Sequence, residues 1–345
     1  MNKHLYIILG NGFSIDLLHH TKKAADIDVR NLFRYGSCVR WPVDNEPGFL
    51  SFKHCPNLWN LGARPTMSDE AAMALIEDII TCVNVFVSAP KKSTRPKTGN
   101  QPNDIYIFAY KELSLYLKHL FVYYDKKFGP IPDEVNKWSW LRLIEQANSE
   151  TKYSKITIVT YNYDIWLERI LEKSKIPFNI GLIGPSDPTT KITILKPHGS
   201  IGFTHKVIRD RAAFQIALNH DLLDGDVADF SPGYDNLDAN HLISALIPPA
   251  GESGRFNHTW AGKIRTEAKR IASTLGPDDD IIVCGLSYWH VDRAELDELL
   301  VNFDSNANIK MINPNPQRSL NAVITSIFKN YIAHNSASTL DDSPP

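Results

Sequence analysis

The chain has few cysteines. The 345 residues hold four, Cys38, Cys55, Cys82 and Cys284, and no two form a C-x-x-C pair. Structural zinc ribbons require paired thiolates at short spacing, so none is expected. Four scattered thiols in a chain of this length also argue against a disulfide framework. Histidine does not fill the gap. None of the twelve, His19-His20 included, joins Cys or carboxylates at metal-ligand spacing, and no metal is expected. No run approaches the ~20 apolar residues of a membrane span. The N-terminal run Leu5–Leu9 is too short for a signal-peptide core, so the cytoplasm is the expected location. An excess of positive charge is missing too: the formal net charge is −2, which argues against a dedicated nucleic-acid binder. No repeat period is visible.

What is present is ordinary globular composition, 43% hydrophobic and 22% charged, enough to bury a full core. The length fits one large or two modest domains. Residues 4–9 form a short apolar run ended by Gly10, the pattern of a buried strand. Residues 15–65 lack clear periodicity and suggest an irregular, partly helical region. From Ser68, a plausible N-cap followed by Asp69 and Glu70, apolar residues recur at helical spacing through Val87. Helices are also expected over 104–128 and 134–147, with Trp138 and Trp140 in the core, giving a helical module at about 68–148 inserted after the first strand. Between the first two of these helices, residues 89–102 are proline-rich and basic, which suggests an exposed loop.

An α/β rhythm then resumes. Strands are expected at 156–160, near 178–181, at 192–196, 280–285 and 309–312, with helices at 165–173, 258–274, 293–303 and 317–331. Residues 204–257 look loop-rich, a lid or an interface. The alternation predicts an α/β fold with a Rossmann-like, doubly wound parallel sheet.

In such sheets ligands bind at the C-terminal ends of the strands, so the residues displayed there carry the functional argument. Gly10-Asn11-Gly12 follows the first strand and precedes a helix, a context in which backbone N–H groups can face a phosphate. A lone G-x-G is also an ordinary tight turn, and Ile15 stands where a full G-x-G-x-x-G fingerprint has its last glycine. Thr160-Tyr-Asn-Tyr-Asp164 places an amide donor and acceptor, Asn162, at the crevice. Asp164 reads either as a cap of the next helix or as part of the pocket. His198, in Lys196-Pro-His-Gly-Ser200, is displayed at a strand end, where a general base can act. Ser287 after Gly285, and Asn313 in Asn313-Pro-Asn-Pro316, can contact a nucleotide ribose or phosphates or serve as turn residues; Asp292 is expected to start its helix.

Taken in order, Gly10-Asn-Gly-Phe-Ser14, Thr160-Tyr-Asn-Tyr-Asp164, Lys196-Pro-His-Gly-Ser200, and Gly285-Leu-Ser287 with Asp292 resemble the motifs of the SIR2-like (sirtuin-like) family of prokaryotic proteins. The outline covers about residues 4–330. The resemblance implies one catalytic domain over 1–335, a disordered tail over 336–345, and an NAD pocket built on Gly10, Asn11, Gly12, Phe13, Ser14, Asp164, Gly285, Ser287 and Asn313. It also implies catalysis by Asn162 and His198. In many such proteins NAD is the substrate, cleaved to nicotinamide and ADP-ribose during anti-phage defence. A homo-oligomer or a partner such as a HerA-like ATPase or another sensor accompanies the activity. The chain departs from deacetylase sirtuins: it lacks the paired C-x-x-C zinc module, and Ile15-Asp-Leu-Leu-His-His20 replaces their G-I-P-D-F-R run. Both departures favour NAD hydrolysis over protein deacylation. Two other readings stand beside it: a non-catalytic module binding NAD or an ADP-ribose-like signal, and a nucleic-acid-associated effector using 89–102.

Overall fold

The computed structural model describes residues 3–88, 104–218, 225–248, 259–288 and 290–339. The basic 89–102 loop falls outside them, as do residues 340–345 of the tail. Among the described residues, seven strands form one wholly parallel sheet: β1 (Lys3–Leu9), β2 (Tyr153–Thr160), β3 (Phe178–Ile180), β4 (Ile192–Leu195), β8 (Asp280–Cys284), β9 (Asn308–Ile312) and β10 (Asn330–His334). Their spatial order is β10-β9-β8-β1-β2-β4-β3. Leu5 to Leu9 of β1 are all buried, as a central parallel strand covered on both faces requires. One face receives Tyr6, whose hydroxyl donates to Ala268 O at 3.0 Å. The fold is α/β and Rossmann-like, as expected.

The helices are α1 (Asn11–His20), α2 (Pro56–Asn60), α3 (Asp69–Ser88), α4 (Asp104–Phe128), α5 (Ser139–Ser149), α6 (Trp166–Lys173), α7 (Trp260–Ala272), α8 (His290–Leu300) and α9 (Arg318–Ile327). The Ser68 hydroxyl caps α3, accepting the Ala71 N–H at 3.2 Å. The stretch expected as a helix at 134–147 begins instead as a 3-10 turn, Asp133–Lys137, before α5. Trp138 and Trp140 are buried and pack on Phe13 with ring centroids 4.9 and 5.4 Å away. Asp292 lies in the first turn of α8 rather than ahead of it.

Two expectations need correction. The helix expected over 317–331 stops at Ile327, and Asn330–His334 forms the edge strand β10. That strand is mostly exposed, so it shows no buried apolar run to separate it from the helix before it. Residues 204–257 are not simply loops. They contribute to a small second sheet, β6-β5-β7, made of β5 (Gly199–His205), β6 (Phe230–Pro232) and β7 (Ser244–Leu246). Its two later strands have three residues each, too short to announce themselves through alternation.

The sheet has a topological switch point between β1 and β8. From β1 the chain runs to β2 on one side, and from β8 it runs to β9 on the other. A crevice therefore opens between the ends of β1 and β8. Residues 10–152 separate β1 from β2, and α3 and α4 from this stretch pack together. Both reach the crevice, where Met73, Ile76 and Phe121 form part of its wall. Among the described residues, no helix is long and apolar enough to cross a membrane.

Candidate active site

Four strand ends meet at this crevice. The cleft is lined by Gly10 and Asn11 after β1, Tyr161 to Asp164 after β2, His198 after β4, and Leu286 and Ser287 after β8. Its cavity is about 170 Å³, smaller than a typical small-molecule site, and it opens at its mouth to solvent.

The glycine turns bring the first and last of these ends together. A Cβ on Gly12 would lie 2.4 Å from Gly285 Cα, and one on Gly10 would lie 2.6 Å from Gly285 O. Neither turn tolerates a side chain, because the two backbones pack against each other. The same contact uses the local N–H groups. Gly10 N–H donates to Cys284 O at 2.9 Å, Gly12 N–H to Gly285 O at 3.0 Å, and Phe13 N–H to Gly10 O at 3.0 Å. Glycines expected to cradle phosphate thus serve to join β1 to β8. Gly12, Phe13 and Gly285 are not among the residues lining the cleft, and Phe13 lies in the core against the two tryptophans.

The end of β2 is a locked polar relay. Asn162 Nδ2 donates to Gly10 O at 3.0 Å and to Ser14 Oγ at 2.9 Å. A carbonyl oxygen can only accept, so the amide orientation follows and Oδ1 is left as the acceptor for a ligand. The Ser14 hydroxyl in turn donates to Asp164 Oδ2 at 2.7 Å, while Asp164 Oδ1 accepts Trp166 N–H at 3.1 Å, at the start of α6. Asp164 therefore does act at a helix start and is also the terminus of the relay. Burial pushes its carboxyl above the usual range, with Lys196 and the Ser14 hydrogen bond opposing.

Lys196 fastens the β4 end to the β2 end. Its Nζ donates to Asp164 O at 2.5 Å and to Glu168 Oε1 at 2.7 Å, and both charged side chains are about 1–2% exposed. Ile201 N–H adds a bond to Tyr163 O at 3.0 Å. Between these ties the chain turns at Gly199, whose φ of +85° is left-handed, and a Cβ there would sit 1.9 Å from Ala245 O. That turn carries the backbone from the main sheet into β5 and leaves His198 on the cleft wall.

His198 belongs to a charged chain that the sequence did not reveal. Its Nε2 lies 3.2 Å from Glu295 Oε2 on α8, and that oxygen is 2.9 Å from the Arg265 guanidinium on α7. Burial opposes ionisation of Glu295, but His198 and Arg265 outweigh it and hold the carboxyl below the usual range. An ionised carboxylate only accepts, so neutral His198 carries its hydrogen on Nε2 and keeps Nδ1 as the basic atom. The Tyr161 ring meets the imidazole edge-on at 4.9 Å, limiting its rotation. One further cation, Arg30, stands exposed on the cleft lining, in the stretch where the sequence showed no periodicity.

The outermost expected contacts differ in placement. Ser287 is exposed on the cleft wall. Asn313 follows β9, one strand beyond β8, and its Oδ1 accepts Asn315 N–H at 3.1 Å, the geometry of a turn residue; it is not among the lining residues. Among the described residues, no three His, Cys, Asp or Glu side chains group as a metal site would.

These features define a Rossmann-like α/β protein with a largely apolar cleft at its switch point, into which a few polar side chains project. No protein-family model matches the chain, and a search of characterised proteins finds no match.

Proposed function

We propose that the chain is a SIR2-like NAD+ glycohydrolase that releases nicotinamide and ADP-ribose. The observation that carries this reading is that Asn162 and His198 line one cleft at the switch point, with an acceptor on the first and a carboxylate-oriented base on the second. The order of the sequence motifs supports the same family.

The chemistry asks for little more. Breaking the nicotinamide–ribose bond leaves positive charge on the ribose, and neutral nicotinamide departs without needing a proton. The protein must hold the sugar, stabilise the oxocarbenium-like centre and deliver water. Asn162 Oδ1 accepts from a ribose hydroxyl or from the attacking water. His198 takes the proton that water loses as its oxygen bonds to the anomeric carbon, and Glu295 stabilises the imidazolium that results. Arg30 provides positive charge for the pyrophosphate in place of the engaged glycine N–H groups.

In this reading NAD+ is the substrate and the biological role is anti-phage defence by NAD depletion in the cytoplasm. An unrestrained NADase is lethal to its host, so activity is tied to a homo-oligomer or to a partner such as a HerA-like ATPase or other sensor. The test is nicotinamide release by wild type, Asn162→Ala and His198→Ala, alone and with the products of neighbouring genes, with NAD+ binding measured in parallel. Turnover by wild type and its loss in His198→Ala supports the enzyme. Intact binding with the same negligible turnover in all three assigns the cleft to signal binding instead.

A further inference from the structure

A second cleft lies across α4 from the first. His119, Val122, Tyr123, Lys126 and Lys127 recur at i, i+3, i+4, i+7 and i+8, one face of the helix, and all five line it. Phe121, off that face, lines the first cleft instead. The opposing wall comes from Arg40 and its loop, from Arg211, and from Asp238. The cavity is about 390 Å³ and opens to solvent at its mouth.

Its charge is lopsided. Arg40, Lys126, Lys127 and Arg211 face one carboxylate, Asp238, which pairs with Lys126 at 2.9 Å. The two arginines are held in place by backbone: Arg40 donates to Asn45 O at 2.7 Å, and Arg211 Nε donates to Pro42 O. Each guanidinium keeps further donors for an anion. On the inner side, His119 is 6% exposed, and its Nε2 has no hydrogen-bond partner among the described residues. Its ring is fixed by Phe49, stacked at 5.3 Å, and by Phe214, edge-on at 5.3 Å. Burial and the Lys118 charge keep the imidazole neutral. An orphaned buried nitrogen beside a cationic rim is costly unless a ligand satisfies it.

We propose that this cleft binds a small phosphate-bearing molecule of nucleotide size, its phosphates on Arg40, Lys126, Lys127 and Arg211 and a polar group of its remainder on His119 Nε2. A concave site of this volume suits a small ligand. The cations are gathered at one cleft of a chain whose net charge is −2, unlike the basic face of a nucleic-acid binder. The proposal does not depend on NAD cleavage in the first cleft.

Calorimetric titration of the whole chain with ADP and with inorganic pyrophosphate, in low salt, tests it. Both probes bind wild type. The double variant Lys126→Ala/Lys127→Ala, which alters exposed side chains only, weakens both tenfold or more. His119→Phe keeps the ring packing and weakens ADP at least fivefold while leaving pyrophosphate unchanged. Arg30→Ala in the first cleft leaves the lysine effect intact. The proposal is overturned if neither probe binds at millimolar concentration, or if the lysine variant binds like wild type. It also falls if the loss follows Arg30→Ala, or if a single-stranded oligonucleotide displaces ADP at far lower concentration.

Discussion

At the end of β2, Asn162 spends both amide hydrogens on the protein, and Asp164 has each oxygen engaged, by Ser14 and by Trp166. At the neighbouring end of β4, His198 faces a carboxylate that Arg265 helps to keep ionised. The first arrangement is a scaffold: its polar groups are satisfied internally and leave one acceptor, Oδ1, for a ligand. The second sets an imidazole, the group that the proposed hydrolysis uses as its base, against a carboxylate and a guanidinium. Their two carboxylates accordingly sit on opposite sides of the ordinary range, Asp164 raised and Glu295 lowered. Adjacent strand ends can thus divide positioning from chemistry, and Lys196 holds the two halves in register.

The largest effect is expected from cutting that link. Lys196→Met leaves Glu168 unpaired in the core, costing about 3–5 kcal/mol of stability. Urea unfolding measures it, and a loss under about 1 kcal/mol would show that the tie is dispensable.

Next comes Asn162→Ala. It strips two buried hydrogen bonds, to Gly10 O and to Ser14 Oγ, so it should destabilise by about 1–3 kcal/mol as well as impair turnover. If unfolding is unchanged while turnover falls, Asn162 belongs with His198 and not with the scaffold. Glu295→Gln keeps the shape but removes the charge that orients and stabilises imidazolium. Turnover should fall about tenfold, roughly 1.4 kcal/mol.

The pH dependence of stability sharpens the contrast further. A lowered carboxyl contributes stability above its unfolded value that is lost as pH falls through the folded one. Wild type should therefore lose its advantage over Glu295→Gln below the ordinary 4.5. A raised carboxyl behaves inversely: its contribution is present below the unfolded 3.8 and lost as pH rises through the folded value. Wild type should gain on Asp164→Asn as pH falls through that window. Denaturation series at several pH values check both slopes, and slopes of the same sign would collapse the distinction.

Much of this was legible in the sequence. Strands β1, β2, β4, β8 and β9 are buried in a parallel sheet and read as short apolar runs; four of them end at residues on or beside the cleft. Strand β10, exposed at the sheet edge, left no such trace. Asn162 and His198 were visible because strand ends display them. Glu295 and Arg265 were not, because each looks like a surface charge on a polar helix and only the packing of α7 against α8 joins them. Arg30 was hidden in a stretch without periodicity. The packing of Gly12 against Gly285 was invisible for a related reason: a glycine signals close approach without naming what approaches.

In the proposed function, the division of labour rests on water being activated at His198. NAD+ turned over in ¹⁸O-labelled water, with the ADP-ribose read by mass spectrometry, tests this directly. The account predicts one labelled oxygen in the ADP-ribose formed by wild type and at least a hundredfold slower formation by folded His198→Ala. Intact NAD+ with wild type under activating conditions, or ADP-ribose formed by folded His198→Ala at the wild-type rate, would contradict it.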